Sequence, residues 1–390
     1  MGSRAVGLVM LLILQPSDHA AAINGRLSLL GTSDRIQSSY QLGLRLMAEQ
    51  REENHEWILH LRTIQQQLSG VSSQRTHSSA LFRYRRGGGS LSEEHNGESS
   101  RSRYYEFDRA FYRHDFDLAT LSIGRQPIDW GSGRFWQPTN LFGSFTPTDL
   151  DTEYKPGIDA LNLEWFPTPY SALSMVYAFA PQQQNSVDNS YAFHFRQPIG
   201  LASEMTLAGG NINRHRMVGG SIESSWGESG WWLEGRYARQ RESRESAFLW
   251  VAGMERRLSE KTLLQLEWYN NNRGASNEQA LAAVAQEPLI TQGLQLQMSR
   301  NLLGVSLNQT LTPLLNGSYT LLASRLESGQ KSHHSSLLHQ LSLSFSVSDE
   351  SDLLLSLTRA TGQPASTGHH PQSEFGHLPD NLTLRLRLYF

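Results

Sequence analysis

Histidine is the residue type in this 390-residue chain whose spacing most directly suggests a metal site, since the chain holds 14 of them. Two adjacent pairs fall in two polar stretches on either side of a predicted hairpin: His333-His334 and His369-His370. Imidazoles from both stretches could bind Zn²⁺ or Cu²⁺, although solvated loop histidines are the simpler interpretation. No Ser, His and Asp set has a catalytic spacing. We therefore predict no catalytic residue, no enzyme activity, no cofactor and no assigned metal site.

The stretch 126–157 is the second candidate for chemistry because it combines aromatic and charged residues. Trp130, Phe135 and Trp136 are too apolar for a freely solvated loop and should pack on a surface. Six charged residues accompany them: Asp129, Arg134, Asp149, Asp151, Glu153 and Lys155. Enclosed in a wide pore, such charges would set ion selectivity; a loop folded over the outer rim would leave them solvated. The elements that enclose or expose this stretch therefore decide its role.

Composition narrows the class of protein. The chain has 34 Lys+Arg against 37 Asp+Glu, so there is no broad basic surface and nucleic acid is not an expected partner. Because cysteine is absent, disulfides, thiolate metal sites and covalently attached c-type haem are excluded. The mean hydropathy of −0.45 argues against a helical membrane protein. It does not argue against a membrane-spanning β-barrel, which hides half of each strand in a polar lumen.

Strict alternation of apolar and polar residues recurs along the chain and predicts β-strands. In the last ten residues, NLTLRLRLYF, four Leu and Phe390 fall on one face, while Arg385 and Arg387 fall on the other. The same period of two appears in 40–46, 161–165, 173–179, 264–268 and 341–347. One face therefore meets lipid and the other meets water. No segment carries a comparably long apolar stripe at helical spacing.

Short turns and long polar stretches alternate between these strands. Counting back from the last strand gives an all-β, transmembrane, antiparallel up-and-down β-barrel of 18 strands, with 16 as the alternative. If the last strand descends to the periplasm, all six short turns fall on the periplasmic side. The count includes one strand at 292–312 and treats 63–102 and 271–291 as loops. A strand at 246–257 is apolar on both faces, which the alternation does not explain.

The chain resembles bacterial outer-membrane β-barrels of the porin-like class in two places. Its last strand ends on Phe390 with an apolar residue at every second position before it. The Gly-Arg-Gln…Trp-Gly-x-Gly…Pro-Thr pattern that begins at Gly124 is similar to a segment of porin-like proteins of proteobacteria. The resemblance implies an outer-membrane location and recognition of the terminal strand by the assembly machinery. It implies no particular solute.

The N-terminus predicts export. Arg4 is followed by the ten apolar residues 5–14 and by Ala20-Ala21-Ala22, which together are typical of a secretory signal peptide. We therefore expect residues 1–22 to be a signal peptide and residues 23–390 to be an outer-membrane β-barrel of a Gram-negative bacterium. Within that barrel, 126–157 is the possible constriction loop.

The predicted register assigns side chains to the two faces of the wall. The residues expected to line the lumen are Arg45, Arg62, Glu106, Glu164, Arg196, Glu234, Arg236, Glu267, Arg385 and Arg387. The aromatic residues expected at the membrane girdle are Trp165, Trp226, Trp231, Trp268 and Phe390. Unbroken alternation would place Arg109 and Arg125 on the lipid face, so we expect either a β-bulge that turns them inward or a position near the rim.

A barrel of this width leaves an aqueous lumen. The first functional hypothesis is a porin-like channel for passive passage of small polar or ionic solutes, with outer-membrane lipid and the assembly machinery as partners. The second is a sheath around a multihaem cytochrome partner that carries electrons across the outer membrane. The third is an outer-membrane hydrolase, and adhesion or assembly roles remain open.

Overall fold

Alternating strands close into one antiparallel sheet in the computed structural model. The structure describes residues 22–33, 38–69, 81–85, 87–96, 99–182, 187–241, 245–327, 333–364 and 371–390. The predicted signal peptide lies outside these residues except for Ala22. No helix in the described ranges is long and apolar enough to span a membrane.

Nineteen strands are present in these ranges, and 18 of them form the closed barrel. Each pairs with its neighbours in chain order, and β1 closes the ring by pairing with β19. The strands of the ring are β1 (Ala22–Ser33), β2 (Ser38–Glu52), β3 (His55–Ser69), β5 (Ser99–Asp115), β6 (Ala119–Gln126), β7 (Ile158–Thr168), β8 (Ser171–Ala178), β9 (Ser190–Ile199), β10 (Ser203–Ile212), β11 (His215–Trp226), β12 (Ser229–Gln240), β13 (Ser246–Ser259), β14 (Thr262–Asn271), β15 (Asn301–Thr312), β16 (Leu315–Glu327), β17 (His333–Ser348), β18 (Ser351–Thr361) and β19 (Asn381–Tyr389). The predicted 18-strand antiparallel barrel is confirmed.

The clearest differences from the sequence prediction are an extra strand, a shortened strand, two short helices and the extension of β3 to Ser69, into the predicted loop 63–102. The extra strand β4 (Gly88–Asn96) lies in the stretch predicted as a loop and pairs with the first half of β5. The strand predicted at 292–312 begins only at Asn301. Two short helices precede it: α1 (Glu278–Val284), which Asn277 caps by accepting the Ala280 N–H at 2.9 Å, and α2 (Pro288–Thr291). These segments are too short to show a clear helical period in the sequence.

The two ends of the barrel differ in the length of their connections. Every connection at one end, which we call the turn end, has two or three residues, as at 53–54, 200–202 and 313–314. Most connections at the other end, which we call the loop end, are longer, and the longest are 127–157 and 272–300. The exception at the loop end is the two-residue turn Asn213-Arg214, where both residues have positive φ. The alternation matches the connectivity of membrane β-barrels.

The outer surface of the barrel is an apolar band. Exposed outward side chains alternate with buried inward ones, as in β18, where Leu355 and Leu357 are exposed and Ser356 is fully buried. The five predicted girdle residues are all exposed outside the wall: Trp165, Trp226, Trp231, Trp268 and Phe390. An exposed apolar band of this extent would be insoluble in water and is typical of a lipid-facing surface.

A β-bulge resolves the predicted conflict at Arg109. Phe107 pairs with Leu61 and Arg109 pairs with His60, so Asp108 is the extra residue that shifts the register. The bulge turns the Arg109 side chain to the inside, where its guanidinium carbon lies 5.3 Å from the ring centre of Tyr154. Arg125 is also buried, and it binds Asp159 of the next strand at 2.7 Å. Arg125 lies one residue before the loop end of β6, so the rim position is the alternative that applies to it.

Candidate functional site

The segment 127–157, which we call the inner loop, joins β6 to β7 and packs inside the barrel. Six of its apolar side chains are buried although it belongs to no helix or strand: Ile128, Trp130, Phe135, Trp136, Leu141 and Phe142. Trp130 stacks on His194 of the β9 wall at 5.1 Å between ring centres. Gly131 has a φ of 114°, which a side-chain-bearing residue rarely adopts, and lets the loop turn tightly toward the wall.

Glu234 of β12 is the first anchor of the inner loop. One carboxylate oxygen accepts the N–H groups of Ser132 and Gly133, at 2.6 and 2.8 Å. The other oxygen accepts the N–H and the hydroxyl of Thr139, at 2.6 and 2.8 Å. The side chain is only 1% exposed. A single buried carboxylate thus satisfies three backbone donors of an irregular segment, which would otherwise be left without partners.

Glu267 of β14 is the second anchor. Its oxygens accept the N–H groups of Arg134, at 2.8 Å, and of Trp136, at 2.8 Å. The indole N–H of Trp232, on β12, donates to the same carboxylate at 2.6 Å. Glu267 is also 1% exposed. Glu234 therefore holds the two ends of the stretch 132–139, and Glu267 holds the residues between them.

The inner face of β13, between the two anchoring strands, is covered by the loop. Leu249 and Val251 point inward and are buried in one cluster with Phe135, Trp136 and Tyr269. A lumen face exposed to water would carry polar residues here. Contact with the loop is the physical reason that this strand is apolar on both faces, which the sequence pattern did not explain.

Arg134 lies beyond the anchors, near the turn end. Its guanidinium lies 3.3 Å from Glu255 and 3.6 Å from Glu223, on strands that flank β12. The guanidinium carbon also lies 4.7 Å from the ring centre of Trp232. Since the guanidinium is about one-third exposed, each ion pair adds little stability, on the order of 1 kcal/mol or less.

The other end of the inner loop binds a distant part of the wall. Asp151 and Glu153 accept from Arg26 of β1 at 2.9 and 2.7 Å. Glu153 also binds Arg387 of β19 at 2.8 Å. Counted from β12 through β13 to β19, β1 is eight strands round the 18-strand ring. The segment between Thr139 and Asp151 therefore crosses the lumen.

Two contacts along this crossing segment hold it against the same wall. Gln340 of β17 donates to the carbonyl of Thr148 at 3.1 Å, and Arg385 of β19 donates to the carbonyl of Leu150. Burial alone would raise the pKa of Asp151, but its hydrogen bond to Arg26 and the charges of Arg26, Arg385 and Arg387 hold the pKa below its ordinary value. Asp151 therefore stays ionised over the ordinary range of pH.

Tyr154 is surrounded by cations from three strands. The guanidinium carbons of Arg26, Arg45 and Arg109 lie 4.9, 4.1 and 5.3 Å from its ring centre. The electron-rich face of the ring attracts such cations. Asp108 neutralises part of this charge because it contacts Arg45 at 2.6 Å.

Lys155 and Asp129 close the base of the inner loop. The Lys155 ammonium donates to Asp129 and to Asn140, both at 2.8 Å. Burial lowers the pKa of Lys155, and the charge of Asp129 opposes that shift without cancelling it. This pair ties together the two chain segments that enter and leave the loop.

A cavity of about 800 Å³ lies between the inner loop and the wall formed by β1–β3 and β17–β19. Its cations are Arg45, Arg62, Arg83, Arg385 and Lys155. Its anions are Glu106, Asp149 and Asp151. Several are already paired, since both Arg62 and Arg83 contact Glu106. The cavity is nevertheless more cationic than anionic, in a chain whose net charge is −3.

The predicted site residues are distributed unevenly around this cavity. Of the six charges of the predicted constriction, Asp149, Asp151 and Lys155 line it; Arg134 lies at the β11–β13 wall, while Asp129 and Glu153 bind neighbouring cations. Four predicted wall residues also line it: Arg45, Arg62, Glu106 and Arg385. The remaining predicted wall residues do not line the cavity. Their inward positions face the inner loop or the side of the lumen away from the cavity: Glu164, Arg196, Glu234, Arg236, Glu267 and Arg387.

Sequence reasoning missed several residues of this site. Arg26 lies in β1, a weak strand in the sequence pattern, and Arg83 lies in a stretch without alternation. Tyr154 carries no sequence signal because its three arginines come from strands far apart in the chain. For Arg26, the inward position between Gly25 and Leu27 was the available signal.

The histidine candidates do not converge in the described part of the chain. Among those residues there is no group of three or more His, Cys, Asp or Glu side chains arranged to hold a metal ion. His334 instead contacts Glu278 of α1 at 2.5 Å. His369 and His370 lie outside the described residues, as does the side chain of His333.

Comparison with known proteins links the chain to one group of solved structures. No protein-family model and no curated protein sequence matches it. Pseudomonas aeruginosa OccD3 (OpdP) superposes with a TM-score of 0.61 at 8% identity, over 95% of this chain and 91% of that one. P. aeruginosa OpdK with vanillate gives 0.57 at 12% identity, over 95% and 98%.

A third structure, P. aeruginosa OccK2 (OpdF) in complex with glucuronate, gives a TM-score of 0.59 at 10% identity, over 95% of this chain and 97% of that one. At such identities the likeness concerns the fold alone. It extends over nearly the full length of both chains. The chain thus shares the closed 18-strand antiparallel barrel fold of the Occ and Opd outer-membrane porins.

Proposed function

We propose that this protein is an outer-membrane channel for small polar solutes, and that it favours solutes bearing a carboxylate. The observation that carries the proposal is the cation-rich cavity of about 800 Å³ between the inner loop and the barrel wall. A guanidinium donates two parallel hydrogen bonds to a carboxylate, so an arginine-lined passage suits that group. The bound vanillate and glucuronate in two structures of the same fold are both carboxylates.

The proposed orientation places the turn end in the periplasm and the loop end outside the cell. Short turns on the periplasmic side and long loops on the outer side are the rule for such barrels. Export through residues 1–22, cleavage before Ile23 and recognition of the β19 strand by the assembly machinery belong to this proposal.

The inner loop is proposed to narrow the lumen. Its crossing segment leaves the two glutamate anchors on one side and reaches the Arg26 contacts on the other. This arrangement disfavours the alternative of a sheath, because the loop occupies the space that a cytochrome partner would need. The hydrolase alternative has no support from the fold, since the similar structures are those of channels.

Ion selectivity tests the proposal. In a planar bilayer with a tenfold KCl gradient, the reversal potential of the wild type should indicate preference for Cl⁻. Replacing two cavity cations, Arg62→Gln with Arg83→Gln, should shift the reversal potential toward preference for K⁺. The single change Glu106→Gln should instead make the preference for Cl⁻ stronger than in the wild type. The matched control Arg196→Gln, an exposed inward arginine of β9 outside the cavity, should change it little.

Solute uptake provides the second arm of the test. Liposomes containing the wild type should admit glucuronate faster than an uncharged sugar of similar size, and the Arg62→Gln, Arg83→Gln variant should lose that preference. A wild type that selects K⁺, or that admits both solutes equally, would refute the carboxylate preference. Discrete conductance steps would still support a channel in that case.

A further inference from the structure

Two arginines lie directly opposite each other on the outer surface of the barrel. Arg216 of β11 and Arg239 of β12 are register partners, and both are exposed. The flanking residues Met217 and Ala238 are buried on the inside, so the arginines share the outward face. Side chains so opposed have Cβ atoms about 4.5–5.5 Å apart. We call these two residues the arginine pair.

The arginine pair lies just beyond the apolar band, at the loop end. The next outward residues toward the turn end are Val218 and Tyr237, also register partners, which are 56% and 40% exposed. Two residues of a strand span roughly 6.6 Å. A tyrosine at this position is typical of the interface between hydrocarbon and headgroups. The guanidinium groups therefore fall at the level of lipid headgroups.

Within the described residues, neither side chain of the pair makes a hydrogen bond or an ion pair. The neighbouring acidic residues at this rim are engaged elsewhere: Asp188 binds Arg214 at 3.0 Å, and Glu245 binds Arg273 at 3.0 Å. Like charges directly opposite each other on a sheet are destabilising. An external anion would relieve this repulsion.

We propose that the arginine pair binds a phosphate group of a phosphorylated glycolipid in the outer leaflet of the outer membrane. Two guanidinium groups can donate several charge-assisted hydrogen bonds to one phosphate. Val218 and Tyr237 beneath them would contact the acyl chains of the same lipid. The choice of a lipid over a soluble anion follows from this position above an apolar, outward surface. The inference rests on the membrane orientation proposed above.

Binding of defined lipids tests the inference. The folded barrel in detergent is titrated with lipid A carrying both phosphates and with the same lipid lacking them, and bound lipid is counted by native mass spectrometry. The wild type should bind the phosphorylated form at least about tenfold more tightly. The Arg216→Gln, Arg239→Gln variant should bind both forms with similar affinity. Persistence of the preference in this variant, or its absence from the wild type, would overturn the inference.

Two further variants make the result specific. Arg256→Gln with Arg257→Gln removes two exposed charges at the turn end and should leave the lipid preference unchanged. Loss of preference there would indicate a general effect of charge and would overturn the site. Arg216→Lys with Arg239→Lys keeps the charge but not the two-pronged geometry, so it should bind more weakly than wild type and more tightly than the Gln variant.

If the Gln variant does not fold, the Lys variant tests the site in its place. If the Lys variant binds the phosphorylated lipid as tightly as the wild type, the site does not require guanidinium groups and the inference is contradicted. Folding is checked by the shift in electrophoretic mobility on heating. Conductance should be the same in wild type and in the variants of Arg216 and Arg239, because the pair lies outside the lumen. A silent wild type would refute the proposed channel, whereas unchanged lipid binding in the Gln variant would refute only the lipid site.

Discussion

Glu234 holds Thr139 by two hydrogen bonds to the same carboxylate oxygen, from the backbone N–H at 2.6 Å and from the hydroxyl at 2.8 Å. One residue belongs to the barrel wall and the other to the inner loop. Because the other oxygen of Glu234 accepts two more backbone donors, the loop has a fixed position and does not float in the lumen. The shape of the passage thus depends on a side chain that does not line it.

Glu234→Gln should release this part of the loop. A glutamine presents an NH₂ group where the carboxylate accepted backbone N–H groups, and each such bond to a charged acceptor contributes about 1.5–3 kcal/mol. Amide hydrogen exchange at Ser132, Gly133 and Thr139 should accelerate by about tenfold or more. The control is Glu164→Gln, an inward glutamate of β7 that makes no hydrogen bond or ion pair with the loop among the described residues. Unchanged exchange at the three amides would contradict the anchor.

Gly253→Ala should disturb the second anchor through Trp232, its register partner on the neighbouring strand. A Cβ at Gly253 would lie 2.2 Å from ring atoms of Trp232, which is buried and donates to Glu267. Such overpacking costs about 1–3 kcal/mol. Urea unfolding of the folded barrel should show this loss. Gly235→Ala, on the neighbouring strand, meets its nearest atom at 3.6 Å and should change stability by much less.

The inner-loop contact at Asp151 should resist acid. Folding lowers the pKa of the Asp151 carboxylate, so the ionised carboxylate stabilises the contact at any pH above the ordinary pKa of an aspartate. This contribution is lost as the pH falls through the lowered pKa. Channel conductance should therefore stay constant from pH 7 to 5 and change only below about pH 4.

Asp151→Asn serves as the matched variant for the acid response. It should already show the altered conductance at pH 7, because the asparagine cannot form the ion pair with Arg26. It should also respond less to acid below pH 4 than the wild type does. A conductance change of the wild type between pH 7 and 5 would show that another group controls the loop.

Local sequence patterns predicted the barrel wall well because the alternating residues of each strand reflect the apolar and polar environments on its two faces. The alternation before Phe390 and the exposure of Trp165 and Trp268 follow from residues two apart, with no need for distant partners. The bulge at Asp108 could be anticipated as one of two options, since an arginine on the lipid face is costly. The inward packing of Trp136 followed from its apolar character in a loop.

Long-range relations in the site could not be predicted. Tyr154 contacts three arginines from β1, β2 and β5, and no residue spacing in the sequence predicts these contacts. The apolar inner face of β13 is intelligible only once Trp136 lies against it. The charges predicted to form one constriction lie in separate places, with Arg134 at one wall and Glu153 at another, because the loop crosses the lumen between them.

Single-channel conductance of two proteins tests the central claim most directly: the wild type, and a variant in which residues 128–156 are replaced by a short Gly-Ser linker. The account predicts discrete conductance steps for the wild type and steps several-fold larger for the variant, because the segment that crosses the lumen is gone. Folded wild-type protein that gives no steps, or equal steps from both proteins, would contradict it.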